Sequence, residues 1–227
     1  DQAKLRVALA REVAVDGTAR LAAESISFDE LPAIGKPGTI TEEGPLGILE
    51  IQKVKFANGV NAILWANDAE PGRVTVKVRF GAGYRAFDEE NAVYAAMGQA
   101  ALVGSGIGEL GQNELDRIAT GRKLGFDFRV EDAVFTFTAQ TRSSDVEDQL
   151  YLFAAKLGMP RWDPNPVLRA KAAADIGYAS YSSSPAAMIA RDLDYLLRNS
   201  DPRYATPTPE MMADVTPEGF REVWAPR

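Results

Sequence analysis

The sequence predicts an α+β fold, a largely antiparallel sheet with helices packed on one face, and three observations carry that prediction. The stretch "RVTVKVRF" alternates, with Val74, Val76, Val78 and Phe80 on one side and Thr75, Lys77 and Arg79 on the other, as a strand does when one face is wet. Two further stretches read as hairpins. In "ILEIQKVKFANGVNAILWAND" the apolar runs are joined by Asn58-Gly59, and in "FDFRVEDAVFTFTAQT" Phe135 and Phe137 share a face opposite Thr136 and Thr138. The order of elements, strands, two helices, strands and then several helices, describes a layered α+β domain and excludes a doubly wound parallel sheet.

Taken in order, residues 3–15 predict a short helix, followed by Pro32, Gly35, Pro37, Gly38, Gly44, Pro45 and Gly47 in quick succession. The chain accordingly divides into a connector, 1–46, and a folded domain, 47–227. After the alternating strand comes an apolar helix, "NAVYAAMGQAALV", whose small residues Ala92, Ala95, Ala96 and Ala100 predict close packing against neighbouring elements. Asn113 is the expected cap of the next helix. Ser144 with Glu147 forms a candidate capping box ahead of a helix in which Val146, Leu150, Phe153, Ala154 and Leu157 recur at helical spacing up to Gly158. Pro166 opens a long helix to about Tyr181, Pro185 another, and Thr216-Pro217 a last short one.

Composition narrows the chemistry. The 227 residues are 46% apolar, enough for a sizeable core, and carry a net charge of −7 with the basic residues scattered, which argues against a nucleic-acid or anionic-membrane surface. No apolar run approaches the roughly 20 residues a membrane-spanning helix needs. The chain has neither Cys nor His. It therefore lacks a thiolate nucleophile, the usual general base near neutral pH and the commonest transition-metal ligand. A zinc site would have to be built from carboxylates alone, which is unusual for this metal.

The remaining motifs read as structure. Gly104, Gly106 and Gly108 follow a helix instead of a strand and lack the Lys-Ser/Thr pair of a phosphate loop, so they predict a tight connection. The carboxylate groups Asp88-Glu89-Glu90, Glu131-Asp132 and Asp145-Glu147-Asp148 fall where a helix start or a strand turn places solvated charge. Residues Ser182, Ser183 and Ser184 have no His to activate them, and Trp65, Trp162 and Trp224 are expected in core or boundary packing.

From the hairpin at Asn58-Gly59 through "FGAGYR", the helix leading into "VGSGIGELG", the aromatic strand and the "PRWDP" corner, residues 50–225 resemble one domain of the M16 metallopeptidases, the pitrilysin and insulinase group. The resemblance implies the LuxS-like metallohydrolase fold of that group. Active members carry an inverted zinc signature, HxxEH, on the helix after the "FGAGYR"-like strand, with the two His facing the metal and the Glu activating water. Matching the glycine loop puts Ala95, Gly98 and Gln99 at those positions, and a frame shifted by two puts Met97, Ala100 and Ala101 there. Neither set contains a ligand. The resemblance thus implies a catalytically silent domain with no cofactor of its own, zinc being held elsewhere in a larger peptidase. Its partners would be other M16-type domains of the same polypeptide or a partner subunit, together with unfolded peptide, and neither nucleic acid nor membrane. The chain reads as an excerpt of the second half of a fused protein, with a periplasmic or secreted setting. The competing expectation is a binding or scaffold module whose parent has lost proteolysis, and an HxxEH helix elsewhere in the parent would separate the two.

Overall fold

The computed structural model describes residues 28–48 and 50–227. The chain divides into two units, Asp1–Leu31 and Pro32–Arg227. Of the first, a single 3-10 turn, Phe28–Glu30, is described, and the short helix expected at 3–15 lies outside the described residues.

The second unit is an α+β fold built on two three-stranded antiparallel sheets. In the first sheet β1 (Ile40–Pro45), β2 (Ile51–Phe56) and β3 (Asn61–Trp65) lie in that order. The hairpin between β2 and β3 forms as the Asn58-Gly59 pair predicts, but as a three-residue loop. Gly59 sits at φ +90 while the Phe56 N–H donates to Val60 O at 2.9 Å, so the glycine supplies the left-handed residue that closes such a loop. Strand β1 is a difference from the expected connector. Its residues Glu42 to Pro45 pair with Lys55 to Gln52, so the sheet begins before residue 47. A proline is tolerated there because β1 is an edge strand.

In the second sheet β4 (Arg73–Phe80) and β5 (Asp127–Val130) flank β6 (Phe135–Arg142). The alternation in β4 is realised residue by residue, its valines half-buried and its polar residues exposed. Phe135 and Phe137 are buried in the main core with Phe128, Phe153 and Trp224. The opposite face is drier than the pattern predicted: Thr136 is also buried, its hydroxyl donating to Glu131 Oε1 at 2.8 Å beneath the Arg79–Glu131 ion pair. Long side chains, not a layer of helices, roof that position.

Helices α1 (Ala92–Val103), α3 (Val146–Gly158), α4 (Pro164–Ser180), α6 (Pro209–Ala213) and α7 (Pro217–Trp224) contribute to the core on the other face, while α2 (Gln112–Ile118) and α5 (Pro185–Leu197) lie outside that cluster. Three proline-led starts follow the same rule. Ser184, Thr208 and Thr216 each accept a bond from the backbone N–H three residues on, satisfying a donor that the first turn leaves free. Two helices start earlier than expected. Helix α2 starts at Gln112 after Gly111, with Asn113 already inside it, and α4 starts at Pro164, ahead of Pro166. At α3 the cap is Asp145, not Ser144. Its carboxylate accepts from Lys123 N and Arg142 Nε, both at 2.7 Å, and these bonds hold its pKa down to about 2. Asp145 is buried and not the solvated charge expected. The inward face of α3 differs too: Gln149, Leu152, Phe153 and Ala155 are buried whereas Leu150 and Leu157 are exposed. Gln149 turns inward because its amide bridges Gly125 N and Gly125 O, both at 2.9 Å, fastening the chain just before β5.

Candidate functional site

Helix α1 occupies the place where the resemblance puts catalysis, so its faces decide what chemistry it can present. Ala92, Ala95, Met97, Gly98 and Ala101 are buried. Ala95 is packed while Gln99, its partner at i+4, is exposed, and Met97 and Ala101 are buried while Ala100 is exposed. Neither candidate frame therefore turns its three positions to one open surface. The exposed set at i, i+3 and i+4 is Ala96, Gln99 and Ala100, a third frame that also holds no imidazole or carboxylate. The exposure of Ala96 and Ala100 corrects the expectation that all four alanines pack closely. Gly98 is the tightest position. A Cβ placed there would lie 1.9 Å from Trp224 Cζ2, and the same indole donates to Tyr94 O at 2.8 Å. The indole of α7 fills the space a longer side chain at 98 would need, so these residues do not fit a zinc ion. Among the described residues, no group of three or more Asp, Glu, His or Cys side chains is placed to hold a metal.

Beside the open face of α1 lies a cavity of about 340 Å³, lined by Ala96, Val130 at the end of β5, Tyr84, Asp132, Asp194, Arg198 and the segment 203–207. Its walls come from distant parts of the chain. The 3-10 turn Gly83–Ala86 supplies Tyr84. The turn is seated by Gly83, at φ +57, where a Cβ would lie 2.0 Å from Glu131 O. Tyr84 N donates to the same Glu131 O at 2.9 Å. Burial pushes the Tyr84 phenol up from its ordinary value. The Tyr84 and Tyr204 rings meet at 4.7 Å, and the Arg198 guanidinium stacks 4.2 Å from the Tyr204 centroid. Arg198 also reaches Asp132 at 3.1 Å and Asp194 at 2.9 Å. The second arginine, Arg203, is held by Asp201 through bonds of 2.9 and 3.1 Å. The cavity is thus polar and aromatic, with its charges internally paired. Among its lining residues no nucleophile is matched to a base. Strand β5 is an edge of its sheet, and Val130 at its end lines this cavity.

Sequence reasoning did not find this cavity. Asp132 and Arg198 lie 66 residues apart, and no local period links them. The other motifs fall as follows. The glycine-rich loop is structural, closed by paired bonds between Ile107 and Leu110 at 2.9 and 2.8 Å and anchored where Gly106 N donates to Asp163 Oδ2 at 2.9 Å. Ser184 is a helix cap. Trp224 is buried and Trp162 packs on the core, whereas Trp65 is 67% exposed, contrary to its expected packing.

No protein-family model matches the chain, and no curated protein matches it. Solved structures do. The periplasmic protease PqqL from Escherichia coli superposes with a TM-score of 0.70 at 18% identity, over 85% of this chain and 21% of that one. The ferredoxin protease FusC, solved as a mutant in complex with Arabidopsis ferredoxin, gives 0.67 at 17% identity over 88% of this chain and 22% of that one. A peptidase M16 inactive domain from Pseudomonas fluorescens gives 0.62 at 17% identity over 78% and 43%. The chain spans less than a quarter of PqqL and of FusC and less than half of the inactive domain. What joins these structures to the present one is the architecture of its sheets and helices: the chain has the fold of an M16 peptidase domain.

Proposed function

We propose that this chain is a catalytically silent domain of a larger M16-type metallopeptidase, contributing wall and peptide contacts to a chamber whose zinc is held by another domain. The observation that carries the reading is the packing of α1. The helix is the one to which the family resemblance assigns the zinc signature, yet Trp224 lies against Gly98, one of the matched positions, and no frame offers a ligand. The likeness to an M16 inactive domain supports it, as does the partial span of the longer proteases. The edge position of β5 supports peptide contact, since an extended chain can add to such an edge through its backbone and so be held with little regard to sequence. The periplasmic setting of PqqL supports a periplasmic or secreted location.

Metal analysis of the purified chain after dialysis against micromolar zinc should give far less than one zinc per chain, with no hydrolysis of an unfolded reporter peptide. One tightly held zinc per chain, with hydrolysis abolished by a chelator, would sink the proposal.

A further inference from the structure

Helix α5 is the least embedded of the long helices. None of its residues is buried, and its apolar stripe of Ile189, Leu193, Leu196 and Leu197 is 59%, 46%, 63% and 71% exposed. A helix without core contacts is held by whatever polar contacts it makes: Thr206 Oγ1 donates to Arg191 O at 2.9 Å midway along it, and further contacts lie at its C-terminal end. Arg198, the residue that ends α5, bridges to Asp132 on the β5–β6 turn at 3.1 Å and stacks on Tyr204. Immediately after it, Asn199 and Ser200 both have positive φ, 56 and 59. Two successive left-handed residues without glycine are uncommon, and such positions are where a chain can change direction when the contacts that hold them are lost. The same turn of α5 forms one wall of the cavity through Asp194 and Arg198.

We propose that α5 is a hinged strap along the cavity, with Arg198 as its latch and Asn199-Ser200 as its hinge. Release of the Arg198–Asp132 bridge would swing the C-terminal turn of α5 away, widening the cavity beside the open face of α1 and the edge of β5. The strap stands on its own geometry. Only its consequence, easier access for an extended peptide, rests on the function proposed above.

Hydrogen exchange read by mass spectrometry tests it on the intact chain. In Arg198→Ala, amides of residues 187–197 should exchange about tenfold faster or more, while those of β6 and α1 keep their protection. Asp132→Asn, which leaves the sequence of α5 untouched, should do the same. Unchanged exchange of α5 in either variant overturns the strap, and so does an equal loss of protection in α5 and β6. Binding of reduced, carboxymethylated lactalbumin, an unfolded probe, should tighten in both variants. Faster α5 exchange with no probe bound by any of the three proteins upholds the strap and counts against peptide contact.

Discussion

Gly98 carries more of the functional reading than its size suggests. Its missing side chain is replaced by the ring of Trp224, whose Cζ2 stands 1.9 Å from where a Cβ would be. Gly98→Ala should therefore destabilise the fold by about 1–3 kcal/mol, the ordinary penalty of overpacking, despite the better helix propensity of alanine. Gly177 provides the contrast. It lies inside α4 with nothing within 4 Å of where a Cβ would stand, so Gly177→Ala should stabilise by about 0.5–1 kcal/mol through the unfolded chain's lost freedom. Urea midpoints of the two variants check this, and a shift in the same direction for both would show the Trp224 contact to be misread. By the same logic Ala96→Leu, at an exposed position, should cost little, where the alanine pattern by itself predicted overpacking.

At the scale of elements, the C-terminal end of α1 is joined to α3 by Lys156. Its ammonium donates to Ser105 O and, at 3.4 Å, to Leu102 O, and it lies 4.8 Å from the centre of the Phe126 ring. Helix carbonyls at a C-terminus lack partners of their own, and a cation there satisfies them. Burial nevertheless lowers the Lys156 pKa from 10.5 to about 8. Between those two values the unfolded chain holds a proton that the folded chain has released, so stability rises with pH across that window. Relative to Lys156→Met, which does not titrate, the wild type should gain up to about 3 kcal/mol from pH 8 to 10.5. Paired denaturation curves at several pH values measure it, and a flat or falling difference would exclude the effect.

For the whole molecule, the boundary of the folded unit is the feature most open to test. Strand β1 pairs with β2 along Glu42 to Pro45, and the compact unit starts at Pro32. A chain beginning at Pro32 should thus melt higher than one beginning at Gly47, the boundary that the proline and glycine run suggested. Losing the strand at a cost of even about 1–2 kcal/mol lowers the melting temperature by roughly 2–8 °C at this size. Equal melting temperatures would show that β1 adds nothing to the fold.

What the sequence determined by itself was whatever depends on neighbours along the chain. The period of two in "RVTVKVRF", the Asn58-Gly59 turn and the proline-led helix starts at Pro185 and Pro217 all form where those residues predict. So does the absence of His, which excludes an HxxEH signature before any coordinate is known. The tertiary structure decided which faces are covered. Thr136 alternates as a wet residue yet is buried under Glu131, and Leu150 falls on the helical period of α3 yet stays exposed because Gln149 is drawn inward by Gly125. Likewise the cavity needs Tyr84, Asp132 and Arg198 together, and the closed face of α1 needs Trp224, bonded to Tyr94 across 130 residues. Periodicity records only the direction in which a side chain leaves its own backbone. What it meets there is set by long-range packing, and in this chain that packing sets the Trp224 indole against Gly98, on the helix where the family resemblance places the metal signature.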